Sequence, residues 1–294
     1  MAAIHAALAI FKEGDHLIVG DQIYGGTFRL LNQFFNRWGL SISTVDTRDL
    51  AAIEAAIQPN TKGIYFEPVT NPLLQVTSVE EVAKLAQQHH LTTIVDNTFL
   101  SPYLSQPLTQ GADVVIQSAT KYLSGHSDMS AGTVTVKDDQ YAERIYFVQN
   151  ALGGILSPED SNELARGIKT LSLRMDRQME NLKAIVEFLE SQSVVSKINY
   201  PGLPGYPGYE SLRTQAKGAG GVLSFELNDQ ADPVAFVNQL NYFKLAVSLG
   251  SVESLVELPS QMSHAELSPA EQLAAGIKPG LIRLSVGVKS KMLV

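Results

Sequence analysis

Short apolar runs that stop abruptly at polar residues alternate with amphipathic stretches along the first 120 residues. Each run is short and rich in β-branched residues, which is typical of strands buried in a parallel sheet; the runs are residues 16–20, 40–45, 63–66, 92–95 and 114–116. Helical patterns lie between them, at residues 28–38, 49–57 and 79–88, and a further helix is predicted at residues 1–11. This alternation predicts βαβ units, a mostly parallel sheet and therefore an α/β fold.

The pattern changes after Val136. Helices are predicted at residues 140–152 and 162–191, followed by a Gly/Pro/Tyr-rich surface loop at residues 200–209. Strands then return at residues 221–227, 243–247 and 281–288, with a helix at 233–240. We therefore expect a large domain, residues 1–164, and a smaller C-terminal α/β domain, residues 165–294, joined by the long helix.

Composition narrows the classes of function. The formal charge of −8, without a basic run, argues against a nucleic-acid partner. No apolar run reaches the roughly 18 residues that a membrane span needs, and the absence of cysteine excludes disulfides and suits a cytoplasmic protein. The six histidines are scattered, and the adjacent pair His89 and His90 would point about 100° apart on a helix, so we expect no metal site.

Chemistry-bearing residues are concentrated between Leu91 and Asp128. Asp96 ends one predicted strand, and Ser118, Thr120 and Lys121 end the next. Because the carboxyl ends of parallel strands share an edge, a carboxylate, two hydroxyls and an amine should meet in one cleft. Pyridoxal phosphate needs an amine for its aldehyde, a carboxylate for its ring nitrogen and donors for its phosphate. Taken singly, each residue also fits a helix cap, a turn or a solvated position.

The motifs VDNTF (95–99) and SATKYLSGHSD (118–128) resemble the Cys/Met-metabolism family of pyridoxal-phosphate enzymes, which includes cystathionine lyases, cystathionine γ-synthase and methionine γ-lyase. The resemblance recurs in family order at residues 21–27, 67–72, 248–250, 262–264 and 280–287. It implies an aspartate-aminotransferase-like fold of type I. It also implies that Lys121 bonds the cofactor and acts as the base at Cα, while Asp96 pairs with the ring nitrogen.

The remaining site residues follow from the same resemblance. Tyr24 is expected to stack on the cofactor ring and assist proton transfer, and Asn71 to contact both cofactor and substrate. Arg283, with Ser248, is expected to hold the substrate carboxylate, since a guanidinium binds a carboxylate by two parallel hydrogen bonds. Met1 falls on the methionine of a phosphate-binding turn.

The resemblance implies a carbon-sulfur lyase that acts on cystathionine or related sulfur amino acids by β- or γ-elimination. A γ-replacement enzyme, such as cystathionine γ-synthase or an O-acylhomoserine sulfhydrylase, is the alternative. Gly26 matches the cystathionine enzymes, because methionine γ-lyases typically carry Cys there. Val247 stands where many γ-lyases and γ-synthases carry Glu, which argues against a strict preference for cystathionine.

Family members usually begin some tens of residues earlier and end with a further helix, so the resemblance predicts a chain shortened at both ends. A homotetramer built from catalytic dimers is expected. The shortening raises two rival hypotheses: a catalytically impaired fragment and a non-catalytic interaction module.

Overall fold

A six-stranded sheet forms the first half of the computed structural model, which describes residues 1–289. Its strand order is β2-β1-β3-β4-β5-β6, and β1 to β5 pair in parallel while β6 is antiparallel to β5. The strands are β1 (His16–Gly20), β2 (Ser41–Val45), β3 (Thr61–Phe66), β4 (Thr92–Asp96), β5 (Val114–Ser118) and β6 (Gly132–Val136). The mostly parallel central sheet that the apolar runs predict is therefore confirmed.

A five-stranded sheet forms the second half, in the order β7-β8-β11-β10-β9. It is antiparallel except for the β10–β9 pair. Its strands are β7 (Val195–Asn199), β8 (Val222–Leu227), β9 (Phe243–Leu245), β10 (Ser254–Glu257) and β11 (Leu281–Ser285). The sequence pattern missed β7 and β10, which are short and carry polar residues.

Helices cover both sheets. They are α1 (Ala2–Leu8), α2 (Gly25–Arg29), α3 (Leu50–Ala55), α4 (Val79–Gln88), α5 (Ser101–Leu104), α6 (Asp139–Leu152), α7 (Pro158–Ile168), α8 (Leu171–Glu190), α9 (Tyr209–Gln215), α10 (Pro233–Gln239) and α11 (Pro269–Ala274). The single helix predicted at 162–191 is in fact two, α7 and α8. The helix predicted at 28–38 begins earlier, with α2, and continues through a π turn and a 3₁₀ turn to Trp38.

Helix α8 packs against both halves of the molecule. Its first turns place Leu171 and Met175 in a core with Tyr122. Its last turns place Leu182 and Leu189 in the core of the second sheet. We propose the domain boundary near residue 164 on this basis, with residues 1–164 as the larger domain and 165–294 as the smaller; the last five residues of the smaller domain lie outside the described part of the chain.

Leu182→Ala tests the contribution of α8 to the second core. Leu182 is fully buried, so we expect the substitution to lower the free energy of unfolding by about 2 to 5 kcal/mol. Leu273→Ala on α11 is the control, because that side chain is 59% exposed and should cost under about 0.5 kcal/mol. Urea denaturation followed by circular dichroism measures both, and equal losses would contradict the packing described for α8.

Candidate active site

The candidate site lies at the carboxyl edge of the parallel strands, where residues from the second half of the chain reach it. Tyr24 follows β1, Asn71 follows β3, Asp96 ends β4 and Lys121 follows β5. Ligands of open α/β sheets bind at this edge, because the loops that leave parallel strands converge there. Ser248 and Arg283 reach the same cleft from the second half of the chain, as the hydrogen bonds below show.

The amine of Lys121 meets the hydroxyl of Ser248. Lys121 Nζ donates to Ser248 Oγ at 2.7 Å. Burial, and next the positive charge of Arg283, lower the pKa of Lys121 to about 8, while Glu257 acts in the opposite direction. A substantial fraction of this amine is therefore neutral near pH 8, as nucleophilic and base catalysis require.

Ser248 has an unusual backbone conformation. Its φ of 101° lies in the left-handed region that non-glycine residues rarely occupy. In this conformation its hydroxyl accepts from Lys121, and its carbonyl accepts from Arg283 Nη2 at 2.7 Å. Strain of this kind persists where surrounding contacts hold it, and it is concentrated at functional sites.

Arg283 connects the two halves of the site. Its Nη1 donates to Asn71 Oδ1 at 2.9 Å, and the residue is only 3% exposed. The Nε of Arg283 is buried and has no hydrogen-bond partner among the described residues. A guanidinium with an unused buried donor in a cleft suits a carboxylate ligand, because unpaired buried polar groups are costly.

Glu257 is a site residue that the sequence interpretation missed. It is fully buried on β10, and its Oε1 lies 2.9 Å from Arg283 Nη1. Ser263 Oγ also donates to that oxygen, at 2.7 Å. The signal was present in the sequence, since a carboxylate that ends an apolar run such as SLVELP needs a buried partner.

Asp96 is held by two neighbours that the sequence interpretation also missed. The hydroxyl of Thr98 donates to Asp96 Oδ1 at 2.5 Å, and the hydroxyl of Tyr65 donates to Oδ2 at 3.3 Å. Burial raises the pKa of Asp96, and these hydrogen bonds oppose that effect. Burial and the charge of Asp96 also raise the pKa of Glu67 well above its usual range. A protonated ring nitrogen beside these carboxylates would supply the missing positive charge.

Tyr24 stands at the mouth of the cleft. Its side chain is about half exposed, and its backbone N–H donates to Glu67 Oε1 at 2.7 Å. A β-carbon at Gly26 would lie 2.4 Å from the Tyr24 ring and 3.1 Å from the sulfur of Met1. The absence of a side chain at Gly26 therefore leaves room for both Tyr24 and Met1.

The two predicted phosphate donors differ in their surroundings. The backbone N–H of Ser118 donates to the hydroxyl oxygen of Thr98 at 2.8 Å. The Ser118 hydroxyl itself has no hydrogen-bond partner within residues 1–289. Thr120 instead donates its hydroxyl to the carbonyl of Ala131 at 3.2 Å and accepts from the Ala131 N–H. The roles of Ser118 and Thr120 toward a phosphate remain predictions.

A partly neutral lysine, a buried carboxylate on the adjacent strand, an exposed aromatic ring and an incompletely paired arginine form one set of groups. They suit the aldehyde, ring nitrogen, ring face and amino-acid carboxylate that pyridoxal-phosphate chemistry brings together. Fold and site thus define a pyridoxal-phosphate-dependent enzyme of fold type I.

Comparison with known proteins identifies the family. The profile of the Cys/Met metabolism PLP-dependent enzyme family matches residues 1–291. The chain belongs to that family. A cystathionine β-lyase of Lactococcus lactis subsp. cremoris is 49% identical over 290 residues, which cover 99% of this chain and 76% of the relative. A cystathionine γ-lyase of Bacillus subtilis is 46% identical, with 98% and 76% covered.

Solved structures agree with this assignment. The cystathionine γ-lyase of Lactobacillus plantarum complexed with L-serine superimposes with a TM-score of 0.96 at 48% identity, covering 98% of this chain and 76% of that one. A cystathionine γ-synthase of Xanthomonas oryzae in complex with cystathionine gives 0.95 at 40% identity, with 99% and 76% covered. The aspartate-aminotransferase-like fold implied by the sequence motifs is therefore confirmed.

Neither a metal-binding cluster nor a membrane-spanning helix occurs within residues 1–289. No cluster of three or more histidine, aspartate or glutamate side chains is arranged to bind a metal ion. None of the helices in that range is both long and apolar enough to cross a membrane.

The lowered pKa of Lys121 predicts a pH dependence of stability. Between about pH 8 and 10.5 the unfolded lysine binds a proton that the folded one has lost, so stability should rise with pH in this window. The test compares the unfolding free energy of the cofactor-free chain with that of the Lys121→Met variant. We expect the difference, wild type minus variant, to increase by about 3 kcal/mol at most between pH 8 and 10.5.

Urea denaturation at stepped pH measures this difference. Lys84→Met is the control, because Lys84 is an exposed residue paired with Glu80 on α4. A difference that falls or stays flat between pH 8 and 10 would contradict the burial of the Lys121 amine.

Proposed function

We propose that this enzyme is a carbon-sulfur lyase that cleaves cystathionine and related sulfur amino acids by β- or γ-elimination. The products are a thiol amino acid, a 2-oxoacid and ammonia. The observation that carries the proposal is the meeting of the Lys121 amine with Ser248, whose carbonyl in turn binds Arg283. The named relatives, which are cystathionine β-lyases and γ-lyases, support the same reaction class.

The cofactor would be held by Lys121, Asp96, Ser118, Thr120, Tyr24, Met1 and Asn71. When bound, pyridoxal phosphate supplies an electron sink for the electrons released when an amino acid loses its Cα proton. Asp96 would keep the ring nitrogen protonated, because a buried carboxylate favours a cation beside it. Tyr24, which is about half exposed, would stack on the ring.

The substrate would be oriented by Arg283, Ser248 and Asn71. The guanidinium binds the α-carboxylate, which fixes the Cα–H bond near Lys121. Lys121, with its lowered pKa, takes that proton as a general base and returns one to the product. For γ-elimination a second proton must leave Cβ, and the hydroxyl of Tyr24 is the candidate to assist.

Side-chain preference would depend on position 247. Val247 is 53% exposed and precedes Ser248, and we propose that it borders the path of the substrate side chain beyond the reacting carbons. A valine offers no charge for the distal ammonium of cystathionine. We therefore propose a lyase that accepts several sulfur amino acids.

The reaction is tested by adding L-cystathionine to the chain saturated with pyridoxal phosphate. We expect a visible absorption band from bound cofactor and release of oxoacid, pyruvate for β-elimination or 2-oxobutyrate for γ-elimination. Lys121→Ala should lose both the band and the product, since it removes the amine. Formation of cystathionine from an O-acylhomoserine and cysteine, without oxoacid, would instead identify the γ-replacement enzyme. Cofactor binding without turnover would support the hypothesis of a catalytically impaired fragment. Absence of the absorption band would overturn the proposal.

Val247→Glu tests the substrate preference within the same assay. The new carboxylate should favour cystathionine over methionine by about tenfold in kcat/KM through attraction to the distal ammonium. Val247→Gln is the uncharged control of matched size. Equal ratios in the two variants would contradict a role for position 247.

We further propose a homo-oligomer, as a dimer of dimers, and a cytoplasmic location. Helix α6 supports the oligomer, because none of its residues is buried although Tyr146 and Phe147 are large and apolar. Leu152 and Ile155 extend this exposed surface, which a second copy of the chain would cover. The cysteine-free composition supports the location.

Phe147→Lys tests the oligomer. The charge should disrupt an apolar interface and shift the molar mass toward a single chain, as measured by size-exclusion chromatography with light scattering. Phe188→Lys is the control, since Phe188 on α8 is similarly exposed, 62% against 70%. A wild-type chain that is monomeric at micromolar concentration would contradict the oligomer proposal.

A further inference from the structure

The buried carboxylate of Glu257 faces the guanidinium of Arg283 across two paired strands. The register of β10 and β11 places the two residues directly opposite one another. Their side chains are 0% and 4% exposed, and Nη1 lies 2.9 Å from Oε1. This ion pair is thus built into the sheet and shielded from solvent screening.

The surroundings of Glu257 keep it in this position. Ser263 donates to Oε1 at 2.7 Å, and the Ser263 hydroxyl also lies 2.9 Å from His264 Nδ1. The second carboxylate oxygen, Oε2, is buried without a hydrogen-bond partner in the described residues. Because Oε2 makes no hydrogen bond, hydrogen bonding alone does not account for a carboxylate at this position. The negative charge of Glu257 is therefore the property that needs an explanation.

We propose that Glu257 is the internal counter-charge of the site: it positions Arg283 and competes with the substrate carboxylate for that guanidinium. The competition follows from charge, since an incoming carboxylate must approach Arg283 while a second negative charge already lies beside it. Glu257 thereby keeps the buried arginine neutralised when no substrate is present, and it weakens the hold on substrate and product. The part of the proposal that concerns substrate rests on the proposed function.

A second consequence concerns Lys121. Among the described residues, the charged groups that act on its amine are Arg283 of β11, which disfavours the protonated form, and Glu257 of β10, which favours it. His264 also faces Arg283, but burial and that positive charge lower its pKa to about 4, so it is neutral at pH 7. Removing the charge of Glu257 should therefore leave Arg283 unopposed and make Lys121 less basic.

The experiment measures Lys121 directly. The full chain, without added cofactor, is labelled competitively with acetic anhydride at stepped pH, and the label on Lys121 is quantified by mass spectrometry. The result is the titration midpoint of Lys121, the pH at which half of its amine is deprotonated. We expect Glu257→Gln to lower this midpoint by about half a pH unit or more. In the cofactor-loaded enzyme the same variant should lower KM for L-cystathionine by about threefold or more.

Two variants serve as controls. Glu253→Gln removes the same charge four residues earlier, from a side chain that has no contact with Arg283 in the described structure, and should leave midpoint and KM unchanged. Glu257→Asp keeps the charge and should keep the midpoint near that of the wild type. A midpoint in Glu257→Gln equal to that in Glu253→Gln, or a KM that rises, overturns the proposal.

Arg283→Gln provides a second route if Glu257→Gln does not fold. Removing both partners of a buried ion pair leaves no unpaired charge, so the double variant with Glu257→Gln should be tolerated better than either single one. The Lys121 midpoint should be lower in the double variant than in Arg283→Gln, and equal midpoints overturn the proposal. Because labelling needs neither cofactor nor turnover, its outcome is independent of whether the lyase reaction is found.

Discussion

The active cleft depends on one buried guanidinium, which belongs to a strand of the second sheet. Arg283 of β11 binds Asn71, which follows β3, and the carbonyl of Ser248, and its charge contributes to the lowered pKa of Lys121. A charge so far from solvent is stable only with compensation, which Glu257 supplies. The proposed carboxylate site and the base strength of Lys121 are therefore not independent properties of this enzyme.

Strand direction explains why the reacting groups converge. Parallel strands deliver the residues after β1, β3, β4 and β5 to one edge, although those residues are separated by nearly a hundred positions in the chain. The second sheet then contributes Arg283, the group that we propose for the substrate carboxylate. In the proposed function the first half of the molecule would hold the cofactor and the second half the amino acid, and Asn71 contacts Arg283 where the two meet.

Much of this arrangement was predictable from the sequence. The apolar runs predicted the parallel strands, and the motifs around Asp96 and Lys121 indicated the family. The break between α7 and α8 escaped prediction because both segments have helical periodicity and only two residues separate them. Glu257 escaped because its partner lies 26 positions later, and cross-strand register is not visible in either segment alone.

The tight packing at Gly26 bears on how related enzymes diverge. Any β-carbon there would overlap the present position of the Tyr24 ring, so the cysteine typical of methionine γ-lyases cannot be introduced while the ring stays where it is. The overlapping atoms are the far end of the Tyr24 side chain, which is about half exposed, so the ring can turn aside to admit a side chain at position 26. The residue at position 26 is therefore coupled sterically to the orientation of the Tyr24 ring at the entrance of the cleft, and not to the reacting groups themselves.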